Sequence, residues 1–360
     1  ESVDPVYGLS LGAGHSATPE LVDQAVIAAS EAQGYWANLG FDKRLGILER
    51  YVELLKADEA EFAMLIAKET GKPRWEATTE VKAMLGKLAI CVKAYHERTG
   101  THVTETGGLN CVLRHKAHGV MVVLGPFNLP AHLPNGHILP ALLAGNTIVF
   151  KPSEQTPMVA ERMVALLEEA GLPKGVLNLL QGLGDVGQAL VSHPGIDGVL
   201  FTGSAKVGRE IHRQLGGRPE VLLALEMGGN NPLIVHEVDD LSAAVYHTIQ
   251  SAYITSGQRC VCARRLIVPK GKEGDEFVQL LANTIPSIRV AAYDADPEPF
   301  MGSVISIQVA EQLLEAQAQL IQQGAEVLVP MKSLQGGTGL LLPGLIDVTS
   351  LKQREDEEVF

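Results

Sequence analysis

Apolar positions recur at helical spacing through the first hundred residues. Thr18, Pro19 and Glu20 form a start signal, and Leu21, Ala25, Ala28 and Ala29 then fall at helical intervals. Leu45, Leu48, Val52 and Leu55 repeat the period, so residues 18–97 are expected to be mostly helix. The segment RTGTHVTETGGLN (98–110) breaks the pattern and reads as a linker-like lead into an extended arm near 98–118.

From Gly119 the texture changes. Short β-branched runs, GVMVVLGP, NTIVFKP, GVLNLLQG and GVLFTGS, alternate with amphipathic stretches such as MVAERMVALLEEAGL. Strand, helix, strand, helix predicts a parallel sheet with right-handed crossovers, and the runs are apolar throughout because both sheet faces are covered. A second βα region starts at NPLIVHEVDD, where Asp239 or Asp240 can cap the helix in LSAAVYHTIQSAYITS. Gly257 is expected to end that helix, and ARRLIVP resumes as a strand. Cys260 therefore falls in a tight helix-to-strand connection, a common place for chemistry on a rigid scaffold.

With 360 residues and 46% hydrophobic content, the chain can bury large cores and suits two domains. A formal charge of −13 without a basic run at either end gives a nucleic-acid partner little electrostatic support. The longest apolar stretch, from His137 to Phe150, is broken by Pro140, Gly145 and Asn146, so no membrane segment is expected. ESVDPVYGLS has no basic region followed by an apolar core, although Glu1 is not an initiator residue. Four cysteines, at 91, 111, 260 and 262, make no disulfide framework and fit a reducing cytoplasm. Cys260 and Cys262 lack the paired spacing and histidine partners of a zinc clip, so no metal is expected.

Two strand-to-helix loops compete as anion cradles. QGLGDVGQAL places Gly182, Gly184 and Gly187 in a G-x-G-x-x-G pattern, and FTGSAKVGREI offers Gly203, Ser204 and Gly208. Either can instead be a steric turn before a capped helix, and spacing alone does not choose between them.

Read together, GPFNLP (125–130), FKPSEQTP (150–157), FTGSAKVG (201–208) with LEMGGNNP (225–232), and SGQRCVCA (256–263) are far more specific. Their order and spacing resemble the aldehyde dehydrogenase superfamily over essentially the whole chain. Within it, AHLPNGHILPALLAGN, LALEMGGNNPLIV and GQRCVCARR look closest to the N-succinylglutamate 5-semialdehyde dehydrogenases of arginine catabolism. The resemblance implies an α/β fold of two domains with open Rossmann-type parallel sheets. Residues 1–226 would form an NAD-binding domain, with the arm near 98–118 part of an oligomerisation element, and 227–360 a catalytic domain whose C-terminal part is missing.

The resemblance also assigns roles. Cys260 would be the nucleophile, its thiolate adding to an aldehyde and passing through a thiohemiacetal and a thioester. Asn128 would donate to the oxyanion together with the backbone N–H of Cys260. Glu226 would activate water; set between apolar residues and a Gly-Gly pair, it is costly to bury unless solvated or paired, and a raised pKa would suit base work. Gly203, Ser204, Ala205, Lys206, Val207 and Gly208 would hold the pyrophosphate of NAD. Lys151 and Glu154 would hold the adenosine ribose, the Glu154 carboxylate disfavouring a 2′-phosphate. Glu358 and Phe360 would meet the nicotinamide end.

The implied reaction takes N-succinyl-L-glutamate 5-semialdehyde to N-succinyl-L-glutamate in a cytoplasmic homodimer or higher homo-oligomer. Arg259 is a candidate reader of the substrate carboxylates. His132 and His137 lie near enough in sequence to line a pocket, without an assigned role. The alternatives are another semialdehyde or a fatty aldehyde, an acylating enzyme that hands the thioester to coenzyme A, and a catalytically silent scaffold of the same fold.

Overall fold

The structure, a computed structural model, describes residues 1–351. The chain folds as two compact units, one built from 1–2, 12–65 and 78–227, the other from 3–11, 66–77 and the chain from 228 onward.

After two short strands, Ser2–Val3 and Ser10–Gly12, come four helices: α1 (Pro19–Asn38), α2 (Phe41–Ala57), α3 (Glu59–Thr70) and α4 (Arg74–Arg98). Thr18 caps α1, its hydroxyl accepting from the Leu21 amide at 3.4 Å. The buried stripe of α1 is Val22, Ala25, Val26, Ala29 and Trp36, whereas Leu21 faces solvent. The periodicity was legible there and its centre was one residue off. Arg44 of α2 is buried because its guanidinium donates to the carbonyls of Ala37 at 2.8 Å and Leu143 at 3.1 Å, at the carboxyl ends of two helices.

The arm is a two-stranded antiparallel hairpin, β1 (Thr101–Thr106) and β2 (Leu109–Arg114), turned by Gly107 and Gly108 at φ +60° and +78°. Both turn residues lie in the left-handed region that two-residue hairpin loops require. All twelve strand residues are exposed, Val103, Leu109, Val112 and Leu113 among them.

Five parallel strands follow: β3 (Val120–Leu124), β4 (Thr147–Lys151), β5 (Leu177–Leu179), β6 (Gly198–Gly203) and β7 (Leu222–Met227). They lie in the order β5-β4-β3-β6-β7. The crossovers are α5 (His132–Leu143), α6 (Pro157–Glu169), α7 (Gly184–Ser192) and α8 (Ala205–Leu215). Every residue of β3 and β4 is buried, as the unbroken apolar runs require. Val122, Val149, Val199 and Phe201 pack with Val22 and Val26 of α1, Leu190 of α7 and Ile211 of α8. Because β3 has β4 on one side and β6 on the other, the chain reverses its direction of winding there. The carboxyl edge at such a reversal is where open α/β sheets bind ligands.

In the second unit, β8 (Asn231–Ile234) and β9 (Ala263–Ile267) pair in parallel across α9 (Leu241–Tyr253). Asp240 caps α9, accepting from Ala243 N at 3.0 Å. The α-helix stops at Tyr253 rather than at Gly257, and a tight turn over Ile254–Gly257 completes the connection. Val235, Val245 and Ile249 pack with Phe277 and Leu281 of α10 (Lys272–Thr284) and with Ile285 just beyond it.

Candidate active site

The carboxyl edge of the five-stranded sheet collects residues that are far apart in sequence. In register, Leu124 at the end of β3 lies between Lys151 of β4 and Phe201 of β6, and Thr202 of β6 pairs with Glu226 of β7. Asn128 follows β3 by four residues, and Gly203 and Ser204 follow at the end of β6. The sheet thus brings Asn128, Lys151, Glu154, the 203–208 loop and Glu226 to one edge of the first unit.

Ser204 caps α8, its hydroxyl accepting from Val207 N at 3.3 Å, while Gly208 N donates to the Ser204 carbonyl at 3.0 Å. The next amides of the first turn, those of Ala205 and Lys206, have no carbonyl one turn back and are the groups a ligand can take. No acid occupies that first turn, and Lys206 adds a cation to the positive helix end. A Cβ on Gly208 would come within 2.4 Å of the Met227 sulfur, so with glycine here the Met227 side chain lies directly against α8.

Lys151 is buried at the end of β4. Its ammonium donates to the Pro152 carbonyl at 2.8 Å and lies 3.6 Å from the Glu154 carboxylate, which is half exposed. Burial pushes the Lys151 ammonium below its ordinary value, and Glu154 opposes that shift. An ammonium beside an open carboxylate offers one donor and one acceptor to a vicinal diol. With the uncapped amides of α8, this donor set fits a dinucleotide: anion acceptors at one strand end, a ribose clamp at the next.

The competing loop fills a different need. Gly182 leaves no room for a side chain, since a Cβ there would meet Val186 Cγ2 at 2.4 Å and Ser16 Oγ at 2.7 Å. Its packing alone accounts for that glycine.

Glu226 is exposed at the end of β7, so the burial that its apolar sequence neighbours suggest is not present. Beside it, His137 of α5 shares a hydrogen bond of 3.0 Å with Thr202 Oγ1. Burial lowers the His137 pKa, with the Glu226 charge opposing and Lys87 adding to the shift. Asn128 is half buried, and its side-chain oxygen accepts from Leu129 N at 2.9 Å, which orients the amide plane.

Cys260 belongs to the second unit and is exposed there, whereas Cys262 is buried with its thiol against the Ile254 carbonyl at 3.6 Å. Burial pushes the Cys262 thiol up, which keeps it protonated and inert. The Cys260 loop is held by its backbone. Asn231 Nδ2 donates to the Cys260 carbonyl at 2.6 Å and to that of Cys262 at 3.0 Å, and Arg264 donates to the carbonyls of Gly257 at 2.7 Å and Arg259 at 3.3 Å. Arg259 does not stand ready for a substrate carboxylate: its Nη2 donates to Glu76 at 2.7 Å and its Nε to Thr255 Oγ1 at 2.6 Å. Glu76 was not legible from sequence, because no spacing rule links residues 183 positions apart. Glu358 and Phe360 lie outside the described residues.

The profile of the aldehyde dehydrogenase family matches residues 1–360. Lactaldehyde dehydrogenase from Escherichia coli is 31% identical with a TM-score of 0.89, over 96% of this chain and 72% of that one. Succinate-semialdehyde dehydrogenase from Burkholderia pseudomallei is 30% identical with a TM-score of 0.90, over 98% of this chain and 72% of its own. An aldehyde dehydrogenase from Bacillus cereus, solved as an NAD+ complex, is 28% identical with a TM-score of 0.90, over 96% of this chain and 71% of its own. A profile match along every residue, joined to a shared fold, means that the chain belongs to the aldehyde dehydrogenase family.

Proposed function

We propose that this chain is an NAD-dependent aldehyde dehydrogenase in which Cys260 is the nucleophile, Asn128 an oxyanion donor and Glu226 the general base. The observation that carries the reading is the carboxyl edge of the sheet, where Lys151, Glu154, Ser204 and Glu226 gather in a member of this family. Bound along that edge, an oxidised nicotinamide dinucleotide would supply the two-electron acceptor that aldehyde oxidation requires. The first-turn amides of α8 would hold its pyrophosphate, and Lys151 with Glu154 would hold its adenosine ribose.

The chain's own groups do the rest. The Cys260 thiolate adds to the aldehyde carbon, and the carbonyl π electrons move onto oxygen. The Asn128 amide donates to that oxyanion, a contribution of about 3–4 kcal/mol for one preorganised donor. Once the thioester has formed, Glu226 takes a proton from water as the water oxygen attacks the acyl carbon; the C–S bond breaks, releasing the carboxylic acid and restoring the thiolate. The exposed position of Glu226 supports this role, since a base for water must meet water.

For the substrate we infer an acidic semialdehyde, N-succinyl-L-glutamate 5-semialdehyde, on the likeness of AHLPNGHILPALLAGN and GQRCVCARR. A relative named for succinate semialdehyde supports a carboxylate-bearing aldehyde. NAD is preferred to NADP because the half-exposed Glu154 carboxylate repels a 2′-phosphate. We further infer a cytoplasmic homo-oligomer, supported by four unpaired thiols and by the exposed apolar hairpin β1–β2, since an isolated hairpin is marginal in water. No helix among the described residues is long and apolar enough to cross a membrane.

The test is NADH formation by the full-length gene product against acidic and neutral aldehydes, with Cys260→Ser and Glu226→Gln beside it. Cys260→Ser is expected to abolish turnover, and Glu226→Gln to give one burst of NADH followed by a stall. An unaltered steady rate in Glu226→Gln removes that residue from the role of base.

A further inference from the structure

Glu76 takes no part in the chemistry above, yet its carboxylate is fully enclosed. Its Oε1 accepts from Arg259 Nη2 at 2.7 Å and from the Thr255 hydroxyl. Arg259 Nε donates to Thr255 Oγ1 at 2.6 Å, which closes a three-residue ring. A carboxylate survives burial only when it is paired and hydrogen-bonded, so removing one member of the ring leaves a buried group without its partner. One of its members directly precedes Cys260.

The turn gripped by this ring is unusual. Thr255 and Ser256 stand at φ +54° and +53°, and Gly257 at +77°, three consecutive left-handed residues. For a β-branched threonine this conformation is strained and persists only where its surroundings over-determine it. The surroundings here are explicit. Ser256 Oγ donates to the Gly302 carbonyl at 3.0 Å, Gln258 Nε2 donates to the Thr255 carbonyl at 3.1 Å, and Gln258 Oε1 accepts from Ile305 N at 3.0 Å. The Thr255 side chain itself is buried and has Glu76 and Arg259 as its polar partners.

We infer that Glu76 is a positioning residue: through Arg259 and Thr255 it holds the left-handed turn that presents the Cys260 thiol, and so sets the reactivity of that thiol without touching substrate. The inference rests on Cys260 as nucleophile and deepens that reading. It also reassigns Arg259, whose guanidinium serves the turn and not the tail of the substrate.

The experiment compares Glu76→Gln, Thr255→Val and Thr255→Ser in the full chain. Two quantities are read: the second-order rate at which iodoacetamide labels Cys260, mapped by mass spectrometry, and kcat and KM for one neutral and one acidic aldehyde. Glu76→Gln and Thr255→Val are expected to slow Cys260 labelling and to lower kcat at least tenfold, equally for both aldehydes, with KM moving less than threefold. Thr255→Ser, which keeps the hydroxyl, is expected to restore both. Glu76→Gln combined with Arg259→Gln is expected to be no worse than either alone, because the ring fails as a unit. Labelling of the buried Cys91 or a collapsed thermal melt would mark misfolding, and Arg259→Lys, which keeps the charge and loses the fork, then replaces Glu76→Gln with the same expected losses. A wild-type labelling rate and wild-type kcat in Glu76→Gln overturn the inference. So does an Arg259→Lys loss confined to a raised KM for the acidic aldehyde. Full turnover in Cys260→Ser would instead remove the nucleophile reading, while the labelling rates, which need no turnover, still decide the positioning.

Discussion

Ser204→Asp should strengthen the protein and weaken its hold on NAD, two effects of opposite sign from one charge. Aspartate is as good an N-cap as serine, so the bond to Val207 N, now 3.3 Å, has an equally able acceptor. The first turn of α8 holds no acid, and a carboxylate at its positive end adds about 0.3–1 kcal/mol to stability. The same carboxylate would face a pyrophosphate carried on the Ala205 and Lys206 amides. Two unit charges about 4 Å apart repel by about 1 kcal/mol in bulk water and about 4 kcal/mol at a surface-like dielectric, so the NAD dissociation constant should rise between about fivefold and several-hundredfold.

Urea unfolding and an NAD titration of the same preparation read both effects. Asp240→Ala serves as the comparison: it removes the 3.0 Å cap of α9, a helix assigned no ligand, and should cost about 1 kcal/mol with NAD affinity unchanged. Raised stability with unaltered NAD affinity in Ser204→Asp would refute the placement of the pyrophosphate on α8. Lowered stability would refute the capping argument itself.

Three further outcomes are expected. Glu154→Gln removes the carboxylate 3.6 Å from Lys151 and should raise kcat/KM for NADP relative to NAD by about tenfold or more, on the scale of one lost charge repulsion; an unchanged ratio places the ribose elsewhere. Burial holds His137 below its ordinary 6.5, so the unfolded chain binds that proton first as pH falls. The stability this histidine contributes is therefore full above pH 6.5 and lost as pH falls through its folded value, so the difference between the His137→Gln and wild-type pH–stability curves should be constant above pH 6.5 and change only on that acid side. Leu109→Asp, at an exposed apolar position of the hairpin, should lower the mass read by light scattering if β1–β2 is covered by a second copy, and an unaltered mass removes the hairpin from that role.

Local chemistry made much of the fold legible. The helix start at Thr18 and a cap at Asp239 or Asp240, which the structure resolves as Asp240, were readable because a cap is settled within three residues, and the strands at 120–124 and 147–151 because both faces are covered. The inward stripe of α1 was displaced by one position, since the period of a helix says nothing about which shoulder of the apolar arc meets the sheet. The segment read as a linker-like lead into an extended arm, without its paired strands, because it has no buried face to impose alternation; its Gly107-Gly108 pair was the available signal for a hairpin. Gathering Asn128, Lys151, Ser204 and Glu226 at one edge required the strand order, which local pattern does not contain. The Glu76–Arg259 pair had no sequence signal at all, because a buried ion pair is a property of the packed chain.

The division of the chain allows each part of the proposed reaction to be tried by itself. Every residue assigned to the dinucleotide within the described chain belongs to the first unit, whereas Cys260 and the ring that holds its turn belong to the second. Cofactor affinity and thiol reactivity in the absence of cofactor are then separate observables. Glu76→Gln should slow Cys260 labelling and leave the NAD dissociation constant within twofold, and Ser204→Asp should weaken NAD and leave the labelling rate of the NAD-free protein unchanged. Additivity of this kind is expected of sites that share no partners, and a crossed effect would mean that the two sites share a conformational equilibrium. In that case a loss of turnover in Glu76→Gln could no longer be credited to the thiol alone, and the labelling rate would become the deciding measurement.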